Sequence, residues 1–99
     1  MGELYILKKW FDKPVSILEL LQKKGLRCFK VGNDDVIAIW KPMNRECVLW
    51  IHNSWGDSLE SSAKIKVFLW NPFMETRGSK IDIENRLGDL FEKEILSER

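Results

Sequence analysis

Val36-Ile37-Ala38-Ile39-Trp40 and Cys47-Val48-Leu49-Trp50-Ile51, joined by Lys41-Pro42-Met43-Asn44-Arg45-Glu46, are the stretch on which the fold of this chain turns. Each run is five residues long and rich in β-branched and aromatic side chains. The connection carries Pro and Asn, so the whole reads as a β-hairpin. Both faces of each run are apolar, which predicts central strands that other elements must cover.

Upstream of the hairpin, residues 4–11 set Leu, Tyr, Ile and Trp around Lys8-Lys9 and read as a first strand, broken by Asp12-Lys13-Pro14. Ser16 with Glu19 three residues on makes a capping box, and Val15 and Leu20 occupy the positions of a hydrophobic staple. Ile17, Leu20 and Leu21 give this first helix an apolar face. Lys23 and Lys24 suit its negative C-terminal end, and Gly25 supplies the left-handed stop. Residues 26–31 read as a second strand, ended by the turn residues Gly32-Asn33-Asp34-Asp35. A strand–helix–strand opening predicts a crossover, with the first two strands parallel if they share a sheet.

Downstream, residues 53–62 are polar and read as the longest connection. Residues 63–70 alternate, with Ile65, Val67 and Leu69 on one face and Lys64, Lys66, Phe68 and Trp70 on the other. Asn71-Pro72 ends this strand, and a second loop is expected to run to Gly78. Residues 80–96 read as a longer helix, capped by Ser79, with Ile83, Leu87, Leu90, Phe91 and Ile95 in one stripe. Asp82–Arg86 and Asp89–Lys93 are acid-before-base pairs four apart. The expected architecture is α+β: a mostly antiparallel sheet of about five strands, in the order β-α-β-β-β-β-α, with two helices packed on one face.

The 99 residues are expected to form a single domain, residues 1–99. With 44% hydrophobic and 31% charged residues, the composition excludes a disordered chain. Sixteen basic against fifteen acidic side chains give a net charge of +1, so no global basic field marks a non-specific nucleic-acid binder. No secretory leader and no membrane-length apolar run is read, and the expected location is intracellular. Cys28 and Cys47 read as buried thiols, and two lone cysteines with one histidine lack metal spacing. No Gly-x-x-x-x-Gly-Lys pattern is present. No cofactor, metal or catalytic residue is assigned.

The candidate binding residues are Trp55, Lys64, Lys66, Phe68 and Trp70. Flat aromatic side chains beside cations suit a single-stranded nucleic acid, which needs ring faces for its bases and charges for its phosphates. Trp50 and His52, two apart on their strand, would enlarge this platform if their face coincides with it. The competing reading places Phe68 and Trp70 beneath a helix or in a dimer contact. Trp55, set between Ser54 and Gly56, is read as a loop anchor for a partner. Phe73, Met74 and the aromatic strand face favour a homodimer. The resulting expectation is a small non-enzymatic binding protein with a protein or single-stranded nucleic-acid partner and no membrane role. The alternative is a small hydrolase-like enzyme using His52 and Asp57 beside the 53–62 loop. That reading has no Gly-x-Ser-x-Gly elbow to support it.

One glutamine, many Lys, Glu and Ile residues and short turns lean toward a thermophile's composition. In size and Trp-rich character it resembles the small orphan proteins encoded by filamentous or rod-shaped viruses of hyperthermophilic archaea. The resemblance implies a viral accessory role in the host cytoplasm and high thermal stability, and carries over no site residue.

Overall fold

The computed structural model describes residues 3–44, 46–71 and 77–91. Its elements are β1 (Glu3–Val15), α1 (Ile17–Lys23), β2 (Arg27–Val31), β3 (Asp35–Trp40), a 3-10 turn (Pro42–Asn44), β4 (Cys47–Ser58), β5 (Ser61–Asn71) and α2 (Arg77–Phe91). The five strands form one sheet in the order β1-β5-β4-β3-β2, with every neighbouring pair antiparallel. Four successive reversals make β1 and β2, at opposite edges, run in the same direction. This is the relation the strand–helix–strand opening predicts. The fold is α+β, in the expected order.

Alternation along the strands builds the core. Leu7, Val36, Ala38, Cys47, Leu49, Ile51, Ile65, Val67 and Leu69 point to one face and are fully buried. Ile17 and Leu21 of α1 meet them there, as do Ile83, Leu87 and Phe91 of α2. Helix α1 lies over β2 and β3, and α2 lies toward β1. The hairpin strands β3 and β4 lie inside the sheet, as read, and the helices cover one of its faces, as expected. Both helices take the same side, and none of the described elements covers the other.

Helix α1 forms as its sequence dictates. The Glu19 amide donates to Ser16 Oγ at 3.5 Å, which satisfies one of the donors left free at a helix start. Val15 and Leu20, the staple positions, are half-buried against the core. Gly25 adopts φ +81°, and the Leu26 amide turns back to the Leu21 carbonyl at 3.1 Å.

Three boundaries differ from the sequence reading. Strand β1 does not stop at Asp12. It continues through Pro14 to Val15, with its register shifting between Trp10 and Val15. Proline is tolerated there because β1 is an edge strand with no outer neighbour requiring its N–H. Residues 53–62 are not a loop. β4 and β5 continue as a hairpin to Ser58 and Ser61 and close in the two-residue turn Leu59-Glu60. Helix α2 starts at Arg77, which places Gly78 and Ser79 inside its first turn and removes Ser79 from the capping position. Within α2 the Arg86 Nε donates to Asp82 Oδ2 at 3.3 Å. Phe73, Met74, Lys93 and Ile95 lie outside the described residues.

The far end of the β4–β5 hairpin holds together by polar chemistry. Asn53 is almost fully buried, and its Nδ2 donates to Asp34 Oδ1 at 3.1 Å and to the Gly56 carbonyl at 3.3 Å. The Ser62 hydroxyl donates to Asn53 Oδ1 at 2.5 Å, with the Lys64 carbonyl a second acceptor at 3.1 Å. Register shifts between Asn53 and Ser58 bend the ribbon, as β-bulges do. Leu59 is thereby buried, and its carbonyl accepts from the Ile17 amide at 2.8 Å. The hairpin tip therefore closes the core over the start of α1.

Cys28 on β2 and Cys47 on β4 are separated by β3, and no disulfide joins them. Burial raises both, with Cys47 pushed up to about 11. No described helix is long and apolar enough to cross a membrane.

Candidate binding face of the sheet

The face opposite the helices is built by the residues that alternate with the core. The strand registers bring them into rows. Trp50 of β4 lies opposite Phe68 of β5 and Ile37 of β3. Phe68 in turn lies opposite Ile6 of β1, and Ile37 opposite Phe29 of β2. One apolar row, Ile6–Phe68–Trp50–Ile37–Phe29, thus crosses all five strands. Residues directly opposite in antiparallel pairs have Cβ atoms about 4.5–5.5 Å apart. The row is therefore continuous.

Polar and aromatic rows flank it. Two residues along the strands on one side, Lys8, Lys66, His52 and Asp35 stand opposite one another in turn. Beyond them Lys64 is paired on both sides by tryptophan, Trp10 of β1 and Trp55 of β4. On the other side of the apolar row come Trp70, Val48, Ile39 and Arg27. The aromatic side chains Trp50, Trp70, Phe29, Trp10 and Trp55 of this face remain in solvent, from 40% exposed at Trp50 to 66% at Trp55, while Ile6, Phe68 and Ile37 are half-buried between their neighbours. Patches of this kind on a folded chain mark interaction sites.

Two contacts order the face. His52 Nδ1–H donates to Asp35 Oδ1 at 2.6 Å, a pairing set by their opposed positions in the β3–β4 register. The Lys64 ammonium sits 4.8 Å from the centroid of the Trp10 ring, within the range of a cation–π contact. The cation is held at the surface beside an exposed indole.

All five residues singled out from the sequence lie on this face. Lys64, Lys66, Phe68 and Trp70 do so by alternation along β5, clear of both helices. Trp55 joins them from a bulged strand rather than from a loop. Trp50 and His52 share the face, as the coincidence of their strand with β5 requires. Sequence reasoning did not assign Trp10, Phe29, Ile37 or Arg27. Each lies in a readable strand, but only the register shows which neighbours it meets.

The residues of the enzymatic alternative are not assembled. His52 is paired with Asp35, while Asp57 is exposed in the register-shifted stretch between Gly56 and Ser58. The Ser62 hydroxyl is committed to Asn53, and Ser58 Oγ accepts from the Glu60 amide at 3.2 Å. Cys47 faces the core and His52 the solvent, so they form no nucleophile–base pair. On the helix side, Lys24, Trp40, Pro42, Arg86, Asp89 and Leu90 line an open cleft. Its Arg86 is already engaged by Asp82. With the geometry in place, comparison with known proteins adds nothing to it: no family model, no curated protein and no solved structure matches this chain.

Proposed function

We propose that this protein is a small non-catalytic binding protein that works through the open face of its sheet, with a protein or a single-stranded nucleic acid as its partner. The observation that carries the reading is the uncovered apolar row from Ile6 to Phe29, flanked by Trp70, Trp10 and Trp55. A chain that needed these side chains only for its own core would bury them. Occlusion of such rings by a partner removes apolar area from water at about 25 cal/mol per Å². An accessory role in a virus of hot-environment archaea belongs to the same proposal. It is supported by the Trp-rich, Lys/Glu/Ile-rich make-up of the chain.

The test is native co-purification from the cells that make the chain, using wild type, Trp50→Ser with Phe68→Ser, and Asp89→Ala on the helix side as baits. The wild-type and Asp89→Ala baits are expected to retain the same partner, and the double variant to lose it. A partner held equally by all three baits would place the binding surface elsewhere and end this reading.

A further inference from the structure

Resting on that reading of the face, we infer that its partner is a single-stranded nucleic acid, with phosphates over Lys64 and Lys66 and bases on Phe68, Trp50 and Trp70. The first argument is charge. The whole chain carries a net charge of +1. At the register-paired positions of the open face, however, the cations are Lys8, Arg27, Lys64 and Lys66, and Asp35 is the one carboxylate. Asp35 is already engaged by His52. The other described carboxylates lie off these positions: Glu19, Asp82, Glu84 and Asp89 in the helices, Asp34, Glu46 and Glu60 in turns and connections, and Asp12 and Asp57 in the register-shifted ends of β1 and β4. A nearly neutral molecule therefore presents a cationic face, which complements a polyanion.

The second argument is geometry. Lys66 and Lys64 precede Phe68 and Trp70 at two-residue intervals along β5, about 6–7 Å apart in an extended strand. Trp50 stands beside Phe68 on β4. The cationic end of β5 thus leads into its aromatic end. The cross-strand row of Lys8 and Lys66 lies beside the row of Phe68 and Trp50, so that a backbone can be held on one side while bases stack on the other. The Trp10 ring holds the Lys64 ammonium at the surface. Duplex bases already stack on one another, so their faces are closed to these rings, and a single strand is the form that fits. A second copy of this chain fits less well. Placing the same face against itself would bury Arg27, Lys64 and Lys66 with too few carboxylates to neutralise them.

The experiment titrates the pure protein into labelled 15-nucleotide oligo-dT and oligo-rU and into a 15-base-pair duplex, following anisotropy and tryptophan fluorescence. Each titration is run at 50 and at 200 mM salt. The single strands are expected to quench tryptophan and to bind at least about tenfold more tightly than the duplex. The two phosphate contacts, at Lys64 and Lys66, predict a log–log salt slope of about −1.4 for a single strand. Lys64→Ala and Lys66→Ala should each make that slope shallower by about 0.7. Phe68→Leu and Trp50→Leu should each weaken binding about 5- to 100-fold and leave the slope unchanged.

Absence of single-strand binding, or equal binding of the duplex, overturns the inference, as does indifference to both Phe68→Leu and Trp50→Leu. If the oligonucleotides fail while the co-purified partner still depends on Trp50 and Phe68, the face binds a protein and only the nucleic-acid assignment falls. If sedimentation shows a dimer that Trp50→Leu dissociates, a second copy is the occupant, and the inference falls in the same way.

Discussion

At the scale of single residues, Gly56 shows how much one missing side chain decides. Its φ is +142°, and a Cβ built there would stand 2.5 Å from the Ser61 carbonyl oxygen and 2.7 Å from Ser62 Cα. Both are backbone atoms of the paired strand and cannot turn aside. Gly25, at φ +81°, faces open space. Gly25→Ala should cost only the left-handed penalty, about 1–2 kcal/mol. Gly56→Ala should cost more than about 2 kcal/mol, because strain and a backbone clash add. Urea unfolding of the two variants checks the order, and equal losses would contradict the tight crossing. Cys47 gives a second residue-scale test. Its thiol is held at about 11 against an ordinary value of 9.0, because burial disfavours the thiolate. The folded state keeps this proton more tightly than the unfolded chain. The contribution is therefore complete below about pH 9 and disappears as the pH rises through 11. The gap corresponds to about 2–3 kcal/mol. Cys47→Ala, which has no thiol to ionise, should show a correspondingly flatter loss of stability across that pH range.

Among the elements, α1 was legible residue by residue because its signals are local. Ser16, Glu19, the apolar face and Gly25 all act within ten residues of chain, and the structure uses Ser16 and Gly25 as read. Ser16→Ala should therefore destabilise the protein by about 1 kcal/mol, measured by the same urea titration. The ends of β4 and β5 were not legible, and the cause is physical. Residues 53–62 have the composition of a loop, yet Asn53 and Ser62 satisfy each other in the interior and the backbone pairs around them. What holds that ribbon is pairing across the hairpin, which composition along one strand does not display. Ser62→Ala tests this. It leaves Asn53 Oδ1 buried without its donor and should cost about 1–3 kcal/mol, although serine to alanine on a solvated loop would cost almost nothing. Pro14 misled for a similar reason. Its meaning depends on whether β1 is an edge or a central strand, which is a property of the sheet.

For the molecule as a whole, the informative fact is that the sheet is apolar on two sides and covered on one. The alternation of β5 was sufficient to gather Lys64, Lys66, Phe68 and Trp70 on a single face. Which face the helices would take was not written in that strand, because Ile65, Val67 and Leu69 opposite are equally able to form a core. Adjacent residues of β4 expose the difference. Leu49 is fully buried beneath the helices, and Trp50 is 40% exposed on the other side. Truncation of Leu49 to alanine removes core atoms and leaves a cavity, at a cost of about 2–5 kcal/mol. Trp50→Ser removes a larger side chain but forfeits only cross-strand contacts with Phe68 and Ile37, each worth about 0.2–1 kcal/mol. In a domain of this size each kcal/mol moves the midpoint by about 4–8 °C. Thermal unfolding should therefore show Leu49→Ala melting well below Trp50→Ser, the reverse of what side-chain volume alone predicts. A Trp50→Ser midpoint as low as that of Leu49→Ala would mean that the open face contributes to the protein's own stability, and would remove it as a surface held ready for a partner.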